Sequence, residues 1–370
     1  MKKVALKYLF FAVFAVSAAF TSCKKDNQED KSTEINVTSV PFELGTLNKV
    51  LEGRAVTAIA FDSKGNAWIG TYEQGIIKYD AEENDFFVYD YSIFHEDFVT
   101  NDIAIDKNDN VWIGVSRGGG MGNYNGGLFK YDGQEFTFYN SQNTPMPIDY
   151  VRAIEVDSQN NIWFTSCNIF EGGLVKYDGA EWTIYTPDNS VLPYNLINSI
   201  VVDQSDNVWV AYYNCLVKIS NNKFEIISEK ELGFTIPWHI GDIKINSKNQ
   251  VVGTIDYFSY PFDESPPPHD PTRIVMFTFD GNKTTLLTWE YFIYGIPCIY
   301  IDRKANVWCY GTAGSYFVFP YYGVWFGSEI GGTFRYSDFL PYKYLTAVTD
   351  ITEAPDDKIW FGSFDGIYIR

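Results

Sequence analysis

Three histidines, five cysteines and 47 carboxylates are the groups in this 370-residue chain that could do chemistry. The histidines, His95, His239 and His269, fall in three separate stretches. His95-Glu96-Asp97 has acidic neighbours but not the helical spacing of a zinc motif. His269 lies in DESPPPHDPTR (263–273), whose prolines make an extended insertion. No Gly-x-Ser-x-Gly nucleophile turn occurs. The glycine-rich RGGGMGNYNGG (117–127) lacks the Lys-Ser/Thr and helix of a phosphate loop. No cysteine pair has the CxxC spacing of a zinc or redox site, and the carboxylates are too abundant to single out an acid/base couple. The residues thus offer no catalytic set, and neither a cofactor nor a metal is expected.

What the chain does repeat is a phrase that builds elements. FDSKGNAWIGTYEQGIIKYD (61–80) returns as IDKNDNVWIG (105–114), VDSQNNIWFT (156–165), VDQSDNVWVA (202–211), IDRKANVWCY (301–310) and APDDKIWFGS (354–363). A worn copy, INSKNQVVGT (245–254), has Val252 where the others have Trp. The anchors Trp68, Trp112, Trp163, Trp209, Val252, Trp308 and Trp360 lie 43 to 56 residues apart. Each unit divides into four short strands, A to D. Strand A alternates small and large apolar residues, as in Ala58-Ile59-Ala60-Phe61, so both its faces are covered. An Asp-led turn follows, with Gly or Asn where positive φ is needed. A strand-built repeat of this length predicts an all-β, seven-bladed β-propeller with four-stranded antiparallel blades. The last repeat ends at Arg370 after three strands, and EINVTSV (34–40) is expected to supply the missing outer strand and close the ring.

The A–B turns are short in every repeat, so that end is scaffold. The opposite end carries the B–C loops and D–A connections, long at 114–127 and 253–273, and loops of this kind carry function. The ligand-binding candidates there are Arg117, Tyr124, Tyr150, Arg152, Asn168, Tyr212, Trp238, His239, Tyr257 and Tyr294. Tyr91, His95, Tyr194, Tyr213 and Tyr260 share these loops. Aromatics with amide and Arg groups suit a glycan or a peptide. The conserved-looking Asp and Trp of the phrase read instead as turn and inter-blade wedge.

Residues 1–22 read as a secretory signal: a Met-Lys-Lys start, an apolar stretch, then Phe20-Thr21-Ser22-Cys23. Cys23 is the expected lipidation site. Polar residues 23–33 form a charged tether, and 34–370 form the propeller. Removing 1–22 takes Lys2, Lys3 and Lys7 and no acid, which moves the net charge from −19 to −22. Such a chain repels nucleic acid and anionic lipid, so membrane contact is expected through the lipid alone. Cys298 and Cys309 flank one predicted hairpin. Free thiols and a disulfide both remain open for them, the restrictive geometry of a disulfide favouring thiols.

The pattern Ile-x-x-Asp-x-x-Gly-x-x-Trp-Ile-Gly-Thr followed by Gly-Gly-Leu-x-x-Tyr-Asp resembles the two-component-regulator propeller repeat. The resemblance runs over about 55–370 and is strongest at 57–79, 101–131 and 151–177. It implies a relative of the periplasmic sensor propellers of hybrid histidine kinases, and the Cys-Lys-Lys-Asp start resembles Bacteroidota lipoproteins sorted to the outer membrane, on its periplasmic or surface side. Those kinases continue into further domains, and none follows Arg370, so the signalling step is not expected here. The expected function is a non-catalytic binding module for a glycan or a protein partner. The alternatives are an extracytoplasmic lyase or hydrolase, or an assembly scaffold of an outer-membrane complex.

Overall fold

A computed structural model describes residues 32–36, 38–39, 48–90, 94, 98–116, 126–234, 239–256, 273–289, 297–311, 324–330, 333–337 and 348–370. The chain divides into two units, Met1–Asp30 and Lys31–Arg370, and all described residues belong to the second. Its secondary structure consists of strands grouped in seven sheets.

Strands A to D of sheet 1 are Val56–Phe61, Ala67–Thr71, Ile76–Asp80 and Asp85–Tyr89. Sheet 2 has Val99–Ile105, Val111–Ser116, Gly126–Tyr131 and Phe136–Tyr139. Sheet 3 has Ile154–Val156, Ile162–Cys167, Gly172–Tyr177 and Trp182–Tyr185. Sheet 4 has Ser199–Val202, Val208–Ala211, Cys215–Ser220 and Lys223–Ser228. Sheet 5 has His239–Ile245, Val251–Asp256, Arg273–Phe279 and Thr284–Trp289. Sheet 6 has Pro297–Ile301, Asn306–Gly311, Val324–Ile330 and Thr333–Ser337. Sheet 7 has Val348–Glu353, Ile359–Ser363 and Gly366–Ile369. Within each sheet these strands form an antiparallel meander, as short hairpin connections dictate. The A strands touch in cyclic order, from sheet 1 to sheet 7 and back to sheet 1. This is a β-propeller of four-stranded antiparallel blades.

The hydrophobic core lies between sheets. Trp163 of sheet 3 packs with Ile200, Val208 and Val210 of sheet 4, and Trp360 of sheet 7 with Val56 and Ile59 of sheet 1. The glycine two places after Trp makes room for this. A Cβ on Gly114 would sit 2.7 Å from Val151 Cγ1 on the connection into the next sheet, and one on Gly362 would sit 2.9 Å from Val56 Cγ1.

An N-terminal strand does complete sheet 7, but the expected segment is corrected. Asn48–Val50 pairs antiparallel with Gly366–Ile369, and Lys49 Nζ lies 2.5 Å from Asp365 Oδ2. Residues 34–40 do not fill that place. Ser32–Asn36 instead runs parallel to strand D of sheet 5, and Thr38–Ser39 parallel to strand D of sheet 6. The closing strand must feed at once into strand A of sheet 1, and only the piece just before Val56 is near enough. Asn-Lys-Val is too short to announce itself as a strand, whereas the β-branched run of 34–40 does.

Candidate functional site

The recurring phrase is a hydrogen-bonded knot. Asp62 Oδ1 accepts the backbone N–H of Lys64 (3.0 Å) and Asn66 (2.9 Å). Its Oδ2 accepts Asn66 Nδ2 (2.9 Å) and the indole N–H of Trp68 (3.3 Å). Asp106, Asp157, Asp203 and Asp302 accept the indole N–H of Trp112, Trp163, Trp209 and Trp308 at 2.9 or 3.0 Å. Four donors occupy each carboxylate, so it is spent on its own turn. In sheet 5 the knot is rebuilt without charge. Val252 has no side-chain N–H to give, and Asn246 stands for Asp. Asn246 accepts the N–H of Lys248 and Gln250, and its Nδ2 donates to Gln250 Oε1 at 3.0 Å. Above the indoles lie strand-C lysines: Lys130, Lys176 and Lys218 stand 5.1 to 5.4 Å from the rings of Trp112, Trp163 and Trp209. Among the described residues, no group of three or more His, Cys, Asp or Glu is placed to hold a metal ion.

A second set of carboxylates lines the inner ring. Asp102, Asp242 and Asp350 sit at one equivalent place in the A strands of sheets 2, 5 and 7. One oxygen of each accepts the N–H of the following isoleucine: Ile103 (2.8 Å), Ile243 (2.9 Å) and Ile351 (2.8 Å). The other reaches the next sheet: Ile154 (2.7 Å), Ile299 (3.0 Å) and Ile59 (2.6 Å). The Asp350–Ile59 bond crosses the seam where the last sheet meets the first. Lys244 Nζ lies 3.9 Å from Asp242 Oδ1. The Lys244 side chain is 36% exposed. The Asp242 charge, ahead of those of Glu155, Asp102 and Asp350, raises its pKa. Burial raises the Asp102 carboxyl and pushes Glu155 and Asp350 up to about 7, against the pull of Lys244. Burial thus favours the protonated form of these inner carboxyls relative to free ones.

The described cysteines are poor nucleophiles. Burial pushes Cys167 and Cys215 up to about 11 and Cys298 to about 12. Cys298 is a free thiol, and the strand register sets it opposite Tyr310 rather than Cys309.

At the loop end, the structure describes four of the ten sequence candidates with their side chains. Tyr150 and Arg152 lie on the connection from sheet 2 to sheet 3, Tyr150 half-buried and Arg152 exposed. Asn168 is buried in the B–C loop of sheet 3, where its Oδ1 accepts the N–H of Phe170 and Glu171 and so shapes the loop. Tyr212 is fully buried, its ring 6.3 Å from Tyr194, so it packs the next loop in place. Only the backbone of His239 is described, as the first residue of strand A of sheet 5. Arg117, Tyr124, Trp238, Tyr257 and Tyr294 lie outside the described residues, as does Cys23.

The signal that sequence reasoning missed is apolar. Ten large apolar side chains are exposed among the described residues, and seven sit on B–C loops or D–A connections: Tyr72, Ile169, Phe170, Val191, Tyr194, Tyr213 and Phe364. None lies on an A–B or C–D turn. Five of the seven belong to three neighbouring loops, and Asn195 Nδ2 donates to Phe170 O at 2.8 Å, tying two of them together. Phe170 is 76% exposed. An apolar pair inside the otherwise polar loop Asn168–Glu171 was the available clue.

A sequence model described as "Two component regulator propeller" matches residues 51–73. No curated protein matches the chain. Among solved structures, the extracellular domain of the putative hybrid two-component system BT3049 from B. thetaiotaomicron is similar, with a TM-score of 0.63 and 16% identity, over 88% of this chain and 41% of that one. This chain thus spans about two fifths of that domain. The virginiamycin B lyase of Staphylococcus aureus, solved as an inactive variant with quinupristin, is similar over 88% of this chain and 98% of its own, at TM-score 0.63 and 12% identity. PorZ, a surface component of the type-IX secretion system of Porphyromonas gingivalis, matches at TM-score 0.60 and 14% identity, over 84% of this chain and 46% of its own. At such identities the likeness is one of fold. Residues 51–73 thus match the two-component-regulator propeller repeat, and the chain as a whole has a β-propeller framework.

Proposed function

We propose that this chain is a non-catalytic binding module working outside the cytoplasm, its seven sheets acting as the seven blades of one ring. It engages a protein or glycan partner at the end bearing the B–C loops and D–A connections, and lipid on Cys23 holds it at the outer membrane. One observation carries this reading: the exposed apolar side chains gather at that end, while the turn end is polar and consumed by its own hydrogen bonds. Extracellular and surface proteins of the same fold support the location. A Phe170→Asp, Tyr213→Asp double variant tests it. Partner capture from outer-membrane extract, or binding on a glycan array, is expected to drop by about tenfold or more at unchanged Tm, since two central apolar anchors are lost. Retained binding by this variant would refute the assignment of the face. The second reading, a lyase, is favoured by the match to virginiamycin B lyase over 98% of that enzyme. Substrate turnover that His239→Ala abolishes would establish it in place of the first.

A further inference from the structure

The flank of the ring between sheets 1 and 2 holds a cavity of about 490 Å³, within the usual range of small-molecule sites. Its walls are aromatic. Tyr89 comes from sheet 1 and Phe94 from the connection, while Phe129, Tyr131, Phe136 and Phe138 come from strands C and D of sheet 2. All six are half-buried, so each leaves part of its ring open to the space. Packing of the rings is tight around it: Phe129 and Phe138 are cross-strand partners with centroids 4.5 Å apart, and Phe136 lies 4.7 Å from Tyr131 and 5.2 Å from Tyr89.

Two of these walls differ from the neighbouring sheets. Where sheet 2 has Phe129, sheets 1, 3 and 4 have Ile77, Val175 and Val217. Where it has Phe138, they have Val88, Ile184 and Ile226. At the Phe129 place sheets 5, 6 and 7 carry Phe277, Trp325 and Tyr368, so an aromatic there is shared around the repeat. At the Phe138 place sheets 5 and 7 have Leu286 and Lys49, so Phe138 is this sheet's own addition beside Phe129.

The polar groups decide what such a space can hold. Among the described residues, the non-aromatic lining residues are Gln134 and Glu135, both exposed on the C–D turn. The Tyr131 hydroxyl donates to Gly133 O at 3.1 Å, so it faces its own turn, and its ring lies 5.9 Å from that of Tyr89. A sugar needs several directed donors and acceptors, which these walls do not offer. An anion is disfavoured, because no lining residue among those described is cationic and the chain carries a net −19. Aromatic faces with one carboxylate at the rim attract a desolvated cation that makes few hydrogen bonds.

We propose that this flank cavity is a binding site for a small alkylated ammonium group, such as a choline head, held over the ring faces with Glu135 at the mouth. The site runs from the C–D turn of sheet 2 to Phe94 of a D–A connection, shares no residue with the exposed apolar set of the loop end, and stands whether or not that set binds a partner.

Calorimetric titration of the intact protein with choline and with its neutral isostere 3,3-dimethylbutan-1-ol tests it. Choline is expected to bind, and the alcohol to bind about tenfold more weakly, because it has the shape without the charge. Phe129→Val with Phe138→Ile installs the pair that sheet 3 carries as Val175 and Ile184, so the fold is expected to persist and choline binding to fall about tenfold or more. Glu135→Gln, on an exposed turn, is expected to weaken binding a few-fold and gives a second readout should the double variant misfold. Phosphatidylcholine vesicles beside free choline show whether a lipid can present the group. Equal binding of the alcohol, preferential binding of methyl glucoside, or no choline binding at millimolar concentration would each overturn the proposal.

Discussion

Trp112 and Val252 occupy the same place in the repeat, and the difference between them explains a residue on the far side of the turn. Trp112 gives its indole N–H to Asp106, whereas Val252 gives nothing, and there the aspartate has become Asn246. The pair behaves as one unit, charged acceptor with donor or amide without. Trp112→Phe should leave a buried carboxylate oxygen short of a donor and lower stability by about 1–3 kcal/mol, read as a lower urea midpoint. Asn246→Asp should cost a similar amount, since the new carboxylate meets no indole and Gln250 Oε1 loses its donor. An unchanged midpoint in either would show that the knot is decorative. The Asp-to-Trp spacing was plain in the sequence. Its cause was not, because the two meet only once the turn folds the chain back. Likewise Tyr212 and Asn168 look like ligand residues in a loop, and only burial shows that they hold the loop up.

At the scale of the strand, the period-two pattern of strand A was legible, and its apolar side chains lie where that pattern places them. Its aspartates were not legible as a set. Asp102, Asp242 and Asp350 read as ordinary acids until neighbouring sheets bring a second N–H to each. With Glu155 and Lys244 they make the inner wall sensitive to pH. Glu155 and Asp350 hold their protons up to about pH 7 when folded, while an unfolded carboxyl releases its proton near pH 4. Between those values the folded state binds more protons, so their contribution to stability falls as pH rises across that window. Glu155→Gln should therefore flatten the decline of Tm between about pH 5 and pH 8, and raise Tm at the upper end. The same slope in wild type and variant would refute this account.

For the molecule as a whole, closure rests on three residues outside the repeats. A chain beginning at residue 41 keeps Asn48–Val50 and should melt cooperatively, near the Tm of the longer chain. One beginning at Arg54 lacks that strand and the Lys49–Asp365 pair, leaves Gly366–Ile369 as an open edge, and should melt lower and aggregate more readily. Equal Tm and solubility for the two would show that the N-terminal strand closes nothing. The sequence by itself determined the all-β repeat, its turns, and the assignment of the Trp residues to wedges. These follow from local periodicity and turn chemistry, which act within a dozen residues. Only the tertiary structure decided which strand closes the last sheet, which acids join neighbouring sheets, and which loop residues are exposed. Those outcomes depend on what lies beside each residue once some 50 to 300 residues of chain have come full circle, as when Asp350 meets Ile59.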